Sequence, residues 1–384
     1  MTEFFIGLMS GTSLDGVDGV LASFDQGVQV VGKASRTFPP AFRAELLALN
    51  TPGHNELHRA ALAANQLAAH YAEVIGQLVE QAHAQGIASD RITAAGAHGQ
   101  TVRHCPQAFG DAAVGLPPTG YTLQLNNPAL IAELSGIDVV ADFRSADVAA
   151  GGQGAPLVPA FHASLWSRPG VARAILNIGG ISNLSLLRGD GQISGFDCGP
   201  GNALMDYWCD KHTGKAFDAQ GAWAASGKVD AALLATLLNH AYFLQPPPKS
   251  TGRDLFNPAW LEAQLGDCKL APQDVQATLT ALTAQSCAEA LNRHLPGADE
   301  LLICGGGALN DELMRQLGKL LPATAVRSTS EAGLPPLQVE AAAFAWLAKA
   351  WFDNRAGNLT AVTGAQGPRV LGALYKARRA VRLD

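Results

Sequence analysis

The run Gly11-Thr12-Ser13-Leu14-Asp15-Gly16-Val17-Asp18 gathers hydroxyls, glycines and two carboxylates into one short segment between apolar stretches. Hydroxyls and backbone N–H groups in a permissive turn can wrap a phosphate, and Asp15 and Asp18 suit a magnesium ion held through water. A solvated hairpin would use the same residue types, because Gly, Ser, Thr and Asp are ordinary turn formers. Both readings stay open on this segment alone. No GxxxxGK[ST] and no helix-opening GxGxxG occurs, so the common solutions for holding a nucleotide are absent.

Three further segments carry comparable chemistry. Asn177-Ile178-Gly179-Gly180-Ile181-Ser182-Asn183 offers a second phosphate-sized turn, with Gly179 and Gly180 at its centre. Phe196-Asp197-Cys198-Gly199-Pro200-Gly201-Asn202 is expected to end a strand and open a helix, whose N-terminal N–H groups favour anions. Asp197 then points from a strand end and can act as a general base, or it can merely form the turn before Pro200. In Cys304-Gly305-Gly306-Gly307-Ala308-Leu309-Asn310, the glycines Gly305, Gly306 and Gly307 let a flat ring lie on the backbone at the carboxyl end of a strand. The alternative is a tight turn with Asn310 as a helix N-cap. His98, Gln100, Arg144 and Glu340 are candidate sugar contacts, although Arg144 could instead pair with Asp142 or Asp147 and Glu340 could face solvent. His54 and His58 stand four apart, but Glu56 is out of register for HExxH, so a metalloprotease is excluded.

These segments need strands and helices to position them. Alternating apolar residues predict strands at 4–9, 17–24 and 28–37, an antiparallel meander, followed by a helix over 55–84 with Leu67, Tyr71, Val74, Leu78 and Ala82 on one face. Strands follow at 92–97, 122–125 and 139–142, with a short helix over 128–134. The order then repeats: strands at 172–178, 184–187 and 193–196, helices over 202–212, 229–240, 258–265 and 272–294, a strand at 301–304 and a helix over 310–320. A meander followed by helices and parallel-type strands, met twice, predicts a duplicated α/β lobe rather than two unrelated α/β domains. The first lobe is placed at 1–160, completed by 354–384, and the second at 161–353. If the lobes face one another, the turns at 11–18 and 177–183 would hold a phosphate tail in a central nucleotide cleft.

Composition narrows the partners. The chain has 384 residues, 48% of them hydrophobic, enough for two substantial cores. Its net charge of -6 and the lack of any basic stripe exclude a nucleic-acid partner. The basic residues Lys376, Arg378, Arg379 and Arg382 are expected to end a solvated helix. No stretch approaches the roughly 20 apolar residues that cross a bilayer, and the N-terminus lacks a secretion signal, so a cytoplasmic chain without a membrane partner is expected. Six cysteines without CxxC spacing are expected to be reduced packing residues.

Taken in order, LMSGTSLDGVD, GAHGQT, ADFRSADVAAGGQGAPLVPAFH, LNIGGISN, FDCGPGNALMD, CGGGALN and LQVEAAAFAWLA closely resemble the anhydro-N-acetylmuramic acid kinase family, from Gly7 to about Gly372. The resemblance implies the two-lobed actin and hexokinase superfold, ATP as phosphoryl donor, Mg2+, and a role in peptidoglycan recycling. It further implies a reaction in which water adds to the anomeric carbon of a 1,6-anhydro sugar while O6 takes the γ-phosphoryl group. By carry-over, Asp197 is the base, the turn from Gly11 to Asp18 holds the phosphates, and Arg144 and Glu340 contact the sugar. The expected partner is a small-molecule sugar, with a homodimer left open. An ordinary hexose or amino-sugar kinase and an actin-like ATPase without a sugar substrate are the rival readings.

Overall fold

The computed structural model describes residues 2–11, 13–106, 115, 119–247, 249–252, 255–266 and 269–378. Its contacts divide the chain into two units, 1–161 with 338–384, and 162–337.

The first unit is built on β1 (Phe4–Met9), β2 (Gly16–Ser23) and β3 (Gln29–Thr37), an antiparallel meander in which Gly7 faces Val20 and Gly19 faces Ala34. Two parallel strands continue the sheet beyond β1: β4 (Ile92–Ala97) and β7 (Val139–Ala141), while β5 (Gln100–Cys105) and β6 (Tyr121–Leu125) form a separate hairpin. Because side chains alternate across a sheet, Ile6, Leu8 and Gly19 face the long helix Glu56–Ala84. The gap at Gly19 admits Val74, and Leu67, Tyr71 and Leu78 fill the rest of that core.

The second unit repeats the plan. β8 (Arg173–Ile178), β9 (Ile181–Leu187) and β10 (Ile193–Pro200) form an antiparallel meander, and β11 (Glu300–Cys304) and β12 (Ala325–Ser328) extend it in parallel beyond β8. The helix Pro272–His294 crosses this sheet and is buried around most of its girth. Two of its threonines are satisfied in that setting by bonding back one turn, Thr278 to the Asp274 carbonyl and Thr280 to that of Gln276, while Thr283 donates to the Pro200 and Gly201 carbonyls.

The last strand, β13 (Ala373–Tyr375), returns to the first sheet and pairs antiparallel with β7. Strand order is therefore β13-β7-β4-β1-β2-β3 in one unit and β10-β9-β8-β11-β12 in the other. Apart from the added edge strand, the central strand, its meander partners and its parallel neighbours occupy the same places in both, which is the pattern a duplicated lobe gives.

Several expectations need correcting. The helix Val339–Phe352 belongs to the first unit, so the chain returns at residue 338 and not at 354. The reason is a pair of adjacent glycines, Gly7 on β1 and Gly96 on β4, which let that helix lie directly on the sheet. Ile181, Ser182 and Asn183 lie in β9, and β10 runs to Pro200, so Asp197 sits inside a strand. The helix Pro40–Ala48 and strand β5 went unforeseen. The C-terminal basic residues follow a strand, not a helix: Lys376 pairs with the buried Asp138 at 2.8 Å and Arg378 approaches Glu133 at 3.7 Å, while Arg379 and Arg382 lie outside the described residues. Cys198, Cys209, Cys287 and Cys304 are buried and form no disulfide, Cys105 is half-buried and likewise unbridged, and Cys268 lies outside the described residues.

Candidate functional site

Asp197 is the most constrained candidate. It pairs with Asn183 across β9, and an irregularity between Asp197 and Gly199 breaks the regular ladder beside it. Its carboxylate Oδ2 accepts the Thr251 N–H at 2.9 Å. Its own N–H donates to the Lys249 carbonyl at 3.2 Å, and its carbonyl accepts the Tyr242 hydroxyl at 2.8 Å. Lys249 closes the arrangement by donating to the Tyr242 carbonyl at 3.1 Å, with its ammonium 4.6 Å from the Tyr242 ring centre. Burial pushes the Asp197 carboxyl up to about 6, against the opposing pull of the Thr251 N–H and the Lys249 charge. A carboxylate in that range is ionised at neutral pH yet basic enough to accept a proton in a transition state.

The glycine turns of this unit are explained mainly by protein contacts. A Cβ on Gly305 would lie 2.5 Å from Asn177 Oδ1 and 2.6 Å from the Ile178 carbonyl, and one on Gly307 would lie 2.4 Å from the Ile178 side chain. Gly306 is exposed and keeps the turn's outer face flat. Asn310 caps the helix Asp311–Leu320 through Oδ1, which accepts the Leu313 N–H at 3.0 Å. The N-terminus of the helix Asn202–Thr213 is also occupied. Asn202 N–H donates to the Gly179 carbonyl, and Gly201 and Ala203 N–H groups to that of Gly180. The anion-attracting end expected beside Asp197 is thus filled by the Gly179-Gly180 turn itself.

In the first unit, the segment after β1 turns tightly, with Leu14 N–H donating to the Gly11 carbonyl at 3.2 Å and Leu14 in the left-handed region at φ 57°. Leu14 and Val17 are core residues, so only their main chain could meet a ligand. Gly16 lies in β2, where a side chain would strike the Arg36 carbonyl. Thr12 lies outside the described residues. Ser13 donates to Asp15 at 2.7 Å. Asp18 reaches solvent but is crowded by protein, and this desolvation together with the Asp15 charge raises its carboxyl to about 6. A nearby cation would relieve the charge crowding that raises Asp18. No cluster of three or more metal-ligating side chains occurs among the described residues.

The sugar-contact candidates come together in the same unit. Arg144 donates from Nε and Nη2 to His98 Nε2 at 3.1 and 2.9 Å, and from Nη1 to the Gly154 carbonyl at 2.7 Å. Accepting these bonds fixes the ring proton of His98 on Nδ1, and burial beside the guanidinium drives its pKa down to about 3. Three of the five guanidinium N–H groups are used in this way, leaving one on each terminal nitrogen. Burial pulls Arg144 down to about 10, while the charges of Glu340 and Asp147 act in the opposite direction. Gln100 is buried and accepts from the Ser10 hydroxyl.

The expected pairing of Arg144 with Asp142 does not form, because Asp142 accepts from the Ser145 hydroxyl instead at 2.6 Å. Asp147 is wholly buried and takes the Gly154 N–H, Asn358 and Thr363, anchoring the loop that Arg144 also holds. Ser10, Tyr242, Lys249 and Thr251 were not singled out from sequence. The only signal for the last two was the break in composition at Pro246-Pro247-Pro248.

A meander extended by parallel strands, built twice in one chain with polar turns at the strand ends, is the architecture of a duplicated α/β lobe. The family model "Anhydro-N-acetylmuramic acid kinase" matches residues 3–377. Relatives named anhydro-N-acetylmuramic acid kinase include that of Variovorax paradoxus, 59% identical over 98% of this chain and 99% of its own. Those of Albidiferax ferrireducens (54%, covering 98% and 100%) and Cupriavidus pinatubonensis (54%, covering 97% and 98%) are similar over as much of their length. The chain belongs to the anhydro-N-acetylmuramic acid kinase family.

Proposed function

We propose that the chain opens 1,6-anhydro-N-acetylmuramic acid with water and phosphorylates its O6 from ATP, with Asp197 as the base. O6 lies in the anhydro bridge and has no proton to lose, so a simple hydroxyl attack is unavailable. Water adds to the anomeric carbon and gives its proton to Asp197. The C1–O6 bond breaks, O6 takes the γ-phosphorus, and the bond to the β–γ bridging oxygen breaks. The products are N-acetylmuramic acid 6-phosphate and ADP. The observation that carries this reading is Asp197 itself: one carboxylate oxygen is fixed by a main-chain N–H, and its proton affinity is raised into the working range of a general base.

The remaining roles follow from the donors each segment offers. The main chain of Gly11 to Asp18, with the Ser13 hydroxyl, is assigned to the ATP phosphates, together with Gly179 and Gly180. The outer face of Gly305 to Gly307 suits the nucleotide's flat ring, and Asn310 supports that turn as a helix cap. Asp15 and Asp18 would hold a magnesium ion through water, and the ion would supply positive charge to offset that on the transferring group. Arg144 offers its two remaining N–H groups to the lactyl carboxylate, with His98, Gln100 and Glu340 around it. Among the described residues no helix is long and apolar enough to cross a membrane, and an ATP-consuming kinase is best placed in the cytoplasm.

The test is a turnover in oxygen-18 water: label on the anomeric hydroxyl of the phosphorylated product is expected, and an unlabelled sugar overturns the coupled step. A sugar panel separates an ordinary hexose kinase, which alone should prefer a reducing sugar with its 6-hydroxyl free. Arg144→Met is expected to raise KM for the anhydro sugar by roughly 10- to 100-fold, the worth of a charge-assisted pair. KM for ATP should stay within about threefold of wild type, and steady-state kinetics with each substrate varied checks both.

A further inference from the structure

The carboxylate of Asp197 is held by a segment 54 residues away in sequence, and that segment carries a polar atom with nothing to do. Thr251 donates its N–H to Asp197 Oδ2 at 2.9 Å, which places its main chain against the carboxylate. Its hydroxyl oxygen Oγ1 is buried and has no hydrogen-bond partner among the described residues. The segment cannot readily swing to find one. The Lys249 carbonyl accepts the Asp197 N–H, and the Lys249 ammonium is tied to the Tyr242 carbonyl, while the Tyr242 hydroxyl returns to the Asp197 carbonyl. A buried hydroxyl left unpaired weakens a fold, and where an isosteric apolar side chain would fit, the hydroxyl calls for a reason other than packing.

We propose that the Thr251 hydroxyl is the second hydrogen-bond partner of the water that Asp197 deprotonates. The inference rests on the assignment of Asp197 made above. Water gives one hydrogen to Asp197 as its oxygen bonds to the anomeric carbon. Its other hydrogen is held by Thr251 Oγ1, which fixes the lone pair on the line of attack. Thr251 changes no covalent bond. The C1–O6 electron pair leaves with O6 to the γ-phosphorus, and ADP carries away the bridging oxygen.

The experiment compares Thr251→Val and Thr251→Ser in the full chain, measuring kcat, KM, pH dependence and Tm. Valine keeps the shape and the main-chain N–H to Asp197 and removes only the hydroxyl. It should lower kcat by roughly 10- to 100-fold, the worth of one well-placed hydrogen bond in a transition state. Both KM values should stay within about threefold, the acid limb of the pH profile should stay in place, and Tm should be equal or higher. Serine should restore kcat to within about threefold of wild type. A purely structural hydroxyl gives the opposite pattern, with Tm and kcat falling together and no rescue by serine, and that result overturns the proposal. So does a valine variant with wild-type kcat. If Asp197→Asn is inactive while Thr251→Val is normal, only the role of Thr251 is lost. If Asp197→Asn turns over normally, the base itself is misassigned and the role of Thr251 falls with it.

Discussion

Asp197→Asn lowers kcat by roughly 10²- to 10⁴-fold, the usual contribution of a positioned base, while the fold and the KM for ATP stay near wild type. Asparagine is nearly isosteric and its carbonyl can still accept the Thr251 N–H, so the strand and the segment around Lys249 keep their register. The loss is confined to proton acceptance. The same carboxyl sets the pH dependence of the wild-type enzyme: with a value of about 6, kcat should climb as pH rises through that region and level off above it.

Stability runs the other way. Folding raises this carboxyl above its ordinary 3.8, so the native state favours the protonated form. The stabilisation from that preference is complete below about 3.8 and is lost as pH rises through about 6. At pH 7 to 8 the wild type carries a desolvated charge that the asparagine variant lacks, so the variant should melt at the same or a higher temperature. The difference should grow from about pH 4 to about 6 and level off above that. Thermal unfolding at three pH values with parallel kinetics checks both signs, and an asparagine variant within threefold of normal turnover removes Asp197 from its role.

What sequence could supply here was the alternation of strands and the chemistry of turns. The two meanders are legible because burial on sheet faces leaves a period of two, and the helix Pro272–His294 is legible from its length and its flanking Pro272. The position of Asp197 inside β10 was not, since Asp197, Gly199 and Pro200 read as a turn, while β9 keeps the strand paired to Pro200 across an irregularity between Asp197 and Gly199. The glycines of 305–307 were visible, but their main reason was not. Two of the three fit against Ile178, more than a hundred residues earlier in the chain. Lys249 and Thr251 were missed for the same reason. Their meaning is created by contacts to Tyr242 and Asp197, and no local period or propensity encodes such a contact.

The same limit applies to the helix Val339–Phe352, whose place on the first sheet rests on two glycines that look like any others in the sequence. Gly7 and Gly96 are register partners on adjacent strands. A Cβ on Gly7 would lie 1.8 Å from the Ala341 carbonyl oxygen and 2.5 Å from the Ala345 nitrogen, and one on Gly96 would lie 2.1 Å from the Phe344 carbonyl. These obstacles are helix backbone, which cannot rotate away as a side chain would. Gly7→Ala must therefore lift the helix or bend the central strand, and we expect a loss of about 3 kcal/mol or more, at the upper end for overpacking. In a chain of this size that is a fall in Tm of several degrees. The helix also carries Glu340, whose charge acts on Arg144, so KM for the sugar should rise in the folded fraction. Gly76→Ala is the control, because that glycine is exposed in the helix Glu56–Ala84 with nothing near its absent side chain. It should gain about 0.5–1 kcal/mol through reduced freedom of the unfolded chain and better helix propensity. Melting curves for the two variants should move in opposite directions, and a Gly7→Ala protein with wild-type Tm would show that the helix does not lie against β1 as closely as described.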